Sequence, residues 1–153
     1  MMKQLLAIVA STLVLHACTG GLIYDHYEHT PNDGWDSSDT LAFDVDSIPQ
    51  AGLYGMTLGL RADSDYPFKS VTVIIDRLVM PTGTQSHDTI ACQLVDDDGN
   101  ILGRGISNYQ YSFHIADVHY NQGDSIHVTV RHHMRREILK GINDIGIEIY
   151  KKQ

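Results

Sequence analysis

Tyr109-Gln110-Tyr111-Ser112-Phe113-His114-Ile115 places four large apolar side chains at every second position, with a polar one between each pair. A strand turns successive side chains to opposite faces, so this run reads as a strand with one buried face. A helix would scatter the same residues around its circumference. The period of two continues outward in both directions. Toward the C-terminus, Ile126, Val128 and Val130 alternate with His127, Thr129 and Arg131, and Ile145, Ile147 and Ile149 stand opposite Gly146, Glu148 and Tyr150. Toward the N-terminus, Leu41, Phe43 and Val45 form one such set and Tyr54, Met56, Leu58 and Leu60 another. Val71 to Met80 (VTVIIDRLVM) is apolar on both parities apart from Thr72, Asp76 and Arg77, the pattern of a central strand covered on both faces. Ile90, Cys92 and Leu94 make a further inward set. Asp97-Asp98-Gly99-Asn100 then supplies a hairpin turn, from which Ile101 to Ile106 returns.

Seven to nine short strands separated by turns predict an all-β fold, an antiparallel β-sandwich of the jelly-roll kind. One helical turn is expected near Arg135 to Lys140, where RREILK ends at Gly141. The 153 residues, 42% hydrophobic and 20% charged, suit a single globular domain that needs no disulfide or metal staple.

Before the first strand lies a different kind of sequence. Lys3 precedes the apolar run Leu5 to Leu15, which is too short to span a bilayer, and His16-Ala17-Cys18 follows. The Leu15-x-Ala17-Cys18 ending resembles the lipobox of bacterial lipoproteins, which implies recognition through Leu15 and Ala17 and acylation of Cys18. The organisation expected is a signal peptide over 1–17, a partly packed lipid-anchored tether over 18–39 that carries Tyr24, Tyr27 and Trp35, and the sandwich over 40–153. Cys92 is then a lone, buried thiol.

Charge excludes one class of partner. Eleven basic against nineteen acidic side chains give a net of −8, and such a chain repels nucleic-acid phosphates. The imbalance is uneven. Cys18 to Val130 holds four basic and sixteen acidic residues, while Arg131 to Gln153 holds six and three; this basic end reads as an edge strand guarded by Arg and Lys, the alternative being a surface for phosphate or for an acidic partner.

Chemistry-bearing motifs are weak. His26-x-x-His29 and His132-His133 lack the cysteine or carboxylate spacing of a zinc site, and His26 and His29 fall in the tether. Asp96 to Asn100 lacks the ligand positions of an EF-hand, because Leu94 and Gly105 stand where oxygen donors would be needed. There is no G-x-S-x-G elbow, and Cys92 lies on the apolar parity of its strand. The expectation is a protein that is not an enzyme and has no cofactor. One candidate binding feature is an aromatic platform of Trp35, Tyr109 and Tyr111 with Tyr120, of the sort that takes sugars or serves as a surface for protein; the favoured reading is that these rings fill the core, as large aromatics generally do.

A wider set of landmarks follows a known order: Tyr24-Asp25-His26-Tyr27, Gly34-Trp35, Thr40-Leu41-Ala42-Phe43, Tyr66-Pro67-Phe68-Lys69-Ser70, Pro81-Thr82-Gly83 with Asp88-Thr89, Asp98-Gly99-Asn100-Ile101-Leu102-Gly103-Arg104-Gly105, and Leu139-Lys140-Gly141-Ile142-Asn143-Asp144-Ile145-Gly146-Ile147-Glu148-Ile149. This resembles the gliding-motility lipoprotein H (GldH) family of Bacteroidetes over nearly the whole mature chain. The resemblance implies an acylated, non-enzymatic envelope protein that works as an accessory or assembly component beside other motility-machinery proteins. Cys18 is the residue it assigns. By resemblance to the export signals of these bacteria, an acidic run after the cysteine would imply the cell surface; Thr19 to Ile23 has none, so the resemblance implies a chain that faces the periplasm. The alternatives are a lipid-anchored carbohydrate-binding module and, more weakly, a metal carrier.

Overall fold

The computed structural model describes residues 21–153, and Leu15, Ala17 and Cys18 lie outside that range. Ten strands run in chain order: β1 (Leu22–His29), β2 (Trp35–Asp36), β3 (Leu41–Val45), β4 (Gly52–Asp63), β5 (Ser70–Met80), β6 (Thr84–Gln93), β7 (Asn108–Tyr120), β8 (Ser125–His132), β9 (Ile138–Leu139) and β10 (Ile142–Lys151). One sheet has the order β1-β10-β4-β7 and the other β3-β8-β5-β6, with β2 and β9 as a short ribbon at one end. All pairings are antiparallel. The fold is the expected β-sandwich.

Alternation builds the core. In the first sheet Ile145, Ile147 and Ile149 stand directly across the ladder from Leu60, Leu58 and Met56, and all six are buried. Val71, Val73, Ile75, Val128 and Val130 meet them from the second sheet. Each such side chain contributes about 1.5–3 kcal/mol on leaving water, so a slip of one residue in register would turn the whole set outward.

Several expectations are corrected. Residues 22–39 are not a tether, because β1 pairs with β10 along its length and Trp35 is fully enclosed in the core. The domain therefore starts near Leu22, and His26 and His29 stand on a strand. The C-terminal strand is no edge; β10 lies between β1 and β4, since the N-terminal strand covers it. RREILK forms no helical turn, and Ile138 and Leu139 pair instead with Asp36 and Trp35. Ile101 to Ile106 is a loop tied down by single bridges, Val95 to Ile101 and Arg104 to Gln110. β5 is central within its sheet, but the opposite sheet covers only one of its faces.

Three glycines explain the outer face of the first sheet. Tyr27, Gly146 and Gly59 form one row across β1, β10 and β4, and the Tyr27 ring lies flat over both glycines. A Cβ on Gly146 would stand 2.7 Å from Tyr27 Cδ1. The Arg61 guanidinium covers the ring at 4.0 Å, and Gln110 Nε2 donates to its hydroxyl at 3.3 Å. Tyr150 lies over Gly55 in the same manner.

Candidate functional site

The strand order fixes two poles. Gly21 accepts a hydrogen bond from Lys151 N at 2.6 Å, so the described chain begins where β10 ends. The 46–51 and 121–124 connections lie at the same pole. The loops 30–34, 64–69, 94–107 and 133–141 lie at the other, roughly 30 Å away along ten strand residues. The large exposed apolar side chains divide between them. Leu22, Leu53 and Met80 sit at the Gly21 pole, and Phe68, Ile101, Leu102, Ile106 and Ile138 sit at the opposite one. Ile106 is 94% exposed.

The opposite pole is built from loops with strict turn chemistry. Asp96 accepts hydrogen bonds from Asp98 N at 3.0 Å and Asn100 N at 2.8 Å, which holds its carboxyl below the usual carboxylate range and closes the hairpin ahead of Ile101. Gly141, at φ +88°, turns the chain from β9 into β10. Arg136 lies 5.5 Å from the Phe68 ring centre, and Arg104, Lys140 and Lys69 belong to the same set of loops.

The expected aromatic platform does not assemble. Trp35 is 0% exposed, its Nε1 donates to Asp39 O at 3.0 Å, and its ring meets His132 edge-on at 5.1 Å; it offers no face to a ligand. Tyr120 is likewise buried against Tyr54. Tyr111 is 7% exposed and stacks on Phe113 at 6.2 Å, while Tyr109 is half-buried. Tyr109 and Tyr111 share a small cleft of about 210 Å³ with Tyr66, Phe68 and Ile101. Tyr111 also borders a wider opening of about 730 Å³ with Leu102, Arg104 and Gln110.

Among the described residues, six histidines meet carboxylates or carbonyls: His26, His29, His87, His114, His127 and His132. His87 Nδ1 lies 2.5 Å from Asp76 and His127 Nδ1 lies 2.5 Å from Asp44, both on the outer face of the second sheet around an open groove of about 440 Å³. His26 meets Glu28 at 2.8 Å, and His29 pairs with Asp144. His132 is buried; its Nε2 donates to Trp35 O at 3.0 Å and Glu137 O at 3.1 Å, and burial holds its pKa below the usual value. Among the described residues no group of three or more His, Cys, Asp or Glu side chains is placed to hold a metal. Cys92 is buried, and desolvation pushes its thiol up to about 12, so the nucleophilic thiolate is suppressed.

Two features escaped the sequence reading. Arg77 falls on the inward parity of β5, where its buried guanidinium pairs at 2.5 Å with the one-third exposed Asp88 carboxylate of edge strand β6. Its odd-numbered place beside Val73, Ile75 and Val79 was the available signal. The segregation of exposed apolar side chains to the poles depends on strand order and had no signal in the sequence.

Architecture defines the class as an antiparallel β-sandwich domain. Residues 22–149 match the family model described as GldH lipoprotein, and the chain belongs to that family. It is 24% identical over 152 residues to the gliding motility lipoprotein GldH of Flavobacterium johnsoniae, covering 95% of this chain and 94% of that protein. It is 22% identical over 152 residues to the gliding motility lipoprotein GldH homolog of Christiangramia forsetii, covering 94% and 92%. Family and relatives identify a gliding-motility-associated lipoprotein of the cell envelope. Among solved structures, a carbohydrate binding module from Cellvibrio mixtus lichenase 5A shares 16% identity over 86% of this chain and 90% of its own, with a TM-score of 0.41. A family 35 carbohydrate binding module from Clostridium thermocellum shares 17% over 86% and 90%, with a TM-score of 0.39.

Proposed function

We propose that this protein is a non-enzymatic accessory or assembly component of the gliding-motility machinery or a related envelope complex, anchored through acylated Cys18 and facing the periplasm. The observation that carries the reading is polar: the chain leads back to Cys18 from one pole, and most of its exposed apolar side chains stand at the other. Cys18 precedes Gly21 by three residues, a reach of at most about 11 Å. The anchored pole is thereby kept at the bilayer and the far pole is presented to neighbouring proteins. Confinement to one layer raises the effective concentration of those partners without any new contact. The absence of an acidic run in Thr19 to Ile23 supports the periplasmic side.

Cross-linking in native membranes followed by identification of captured proteins tests this. The wild-type chain is expected to capture envelope proteins, and Ile106→Asp with Leu102→Asp is expected to lose them while remaining in the membrane fraction. Capture unaffected by both substitutions would remove the far pole from the reading. A second reading, a carbohydrate-binding module, is favoured by one observation, the adjacent openings lined by Tyr109 and Tyr111. Its check is affinity for polysaccharide, lost in Tyr109→Ala and Tyr111→Ala; an unmutated protein that binds no polysaccharide ends it.

A further inference from the structure

The Gly21 pole has a composition of its own. Leu22 is 49% exposed and Leu53 37%, with two lysines at the end of the same sheet, and Met80, 48% exposed, stands at this pole in the opposite sheet. Lys151 is the last residue of β10 and pairs in register with Tyr54, next to Leu53; Lys152 N donates to Leu53 O at 2.8 Å. The Lys151 ammonium reaches the neutral Gln50 side chain at 2.8 Å and, among the described residues, forms no ion pair with a carboxylate, while Lys152 is shared with Asp117 at 2.7 Å. Asp46 is exposed at this pole; Asp124 is buried and accepts a hydrogen bond from Asn121 N. On a chain of net −8, two adjacent lysines at the end of the sheet that exposes Leu22 and Leu53, with exposed Met80 at the same pole, are a local reversal of character.

We propose that this pole rests on the bilayer itself, with Leu22, Leu53 and Met80 at the headgroup boundary and Lys151 and Lys152 against anionic headgroups, so that the anchored domain is held upright. The proposal rests on acylation of Cys18. The occupant follows from where the chain leads, because a tether of at most about 11 Å brings this pole to the membrane and cannot bring the other. Lysine stems lie along apolar surface while their ammonium groups reach outward, the arrangement an interface between hydrocarbon and phosphate requires. Each lysine near an anionic surface favours contact by about 1 kcal/mol, roughly fivefold in population.

The test uses the full acylated chain in vesicles of phosphatidylethanolamine and phosphatidylglycerol that contain a spin-labelled lipid. A fluorophore is attached to Leu53→Cys, Met80→Cys or Ile106→Cys in turn; buried Cys92 stays unlabelled, and the unsubstituted chain is the control. Strong quenching at Leu53→Cys and Met80→Cys, with little at Ile106→Cys, is the expected result. Lys151→Gln is expected to lower the docked population read by quenching at Leu53→Cys about fivefold, with sedimentation unchanged. Replacing phosphatidylglycerol by a zwitterionic lipid should weaken it in the same direction. Co-sedimentation with equal quenching at both poles would overturn the docking and leave anchoring intact. A chain that does not sediment with vesicles would overturn anchoring and docking together.

Discussion

Gly141 and Gly99 both adopt positive φ, +88° and +85°, yet they answer to different constraints. A Cβ on Gly99 meets nothing within 4 Å, so Gly99→Ala incurs only the left-handed conformation, about 1 kcal/mol. A Cβ on Gly141 would stand 2.7 Å from Tyr66 Cα, and backbone cannot move aside cheaply. Gly141→Ala is expected to cost about 3 kcal/mol or more, and urea midpoints of the two variants measure the contrast. Cys92 belongs to the same scale. With its thiol raised to about 12, it should resist alkylation at pH 8 in the folded chain and react promptly in urea; rapid native labelling would show an open thiol. Its burial was legible from its place between Ile90 and Leu94. The seats of Tyr27 on Gly59 and Gly146 were not, because three strands distant in sequence have to align before the glycines share a row.

Where alternation was strong, elements were readable: β3 and β8 each bury one parity, β4 and β10 add buried glycines on the other, and β7 alternates up to a bulge opposite Met56 and Thr57. β1 was missed because polar residues occupy both of its parities and it is only partly buried. Around Arg135 to Lys140 local helix preference lost to pairing with β2, a tertiary contact that outweighs a few tenths of a kcal/mol per residue. That ribbon also holds His132. Its folded pKa lies below the unfolded value near 6.5 because burial penalises the imidazolium, so the unfolded chain takes up the proton first and stability falls as pH drops below about 6.5. Part of this loss should be missing in His132→Gln, measured by urea midpoints at pH 7 and pH 5; identical slopes would contradict it. Between β5 and β6, Asp88→Ala strands the Arg77 charge inside the sandwich. It should cost about 2–3 kcal/mol, more than the joint replacement Arg77→Met with Asp88→Leu, which leaves no buried charge.

Across the whole molecule, the sandwich separates two surfaces by its full length, and the described chain begins at one of them, the end toward which the proposed anchor at Cys18 lies. Alternating hydrophobicity made the fold class readable and the lipobox resemblance supplied the anchor. The two-ended distribution of exposed apolar side chains follows from topology, which no local pattern encodes. The anchor decides whether these surfaces have the roles assigned to them, and mass spectrometry of the protein extracted from its native membranes addresses it directly. The mature chain is expected to begin at Cys18, with residues 1–17 removed and acyl chains on that cysteine, and Cys18→Ser should leave the membrane fraction or keep its signal. A freely soluble mature product with an unmodified Cys18 would contradict the account.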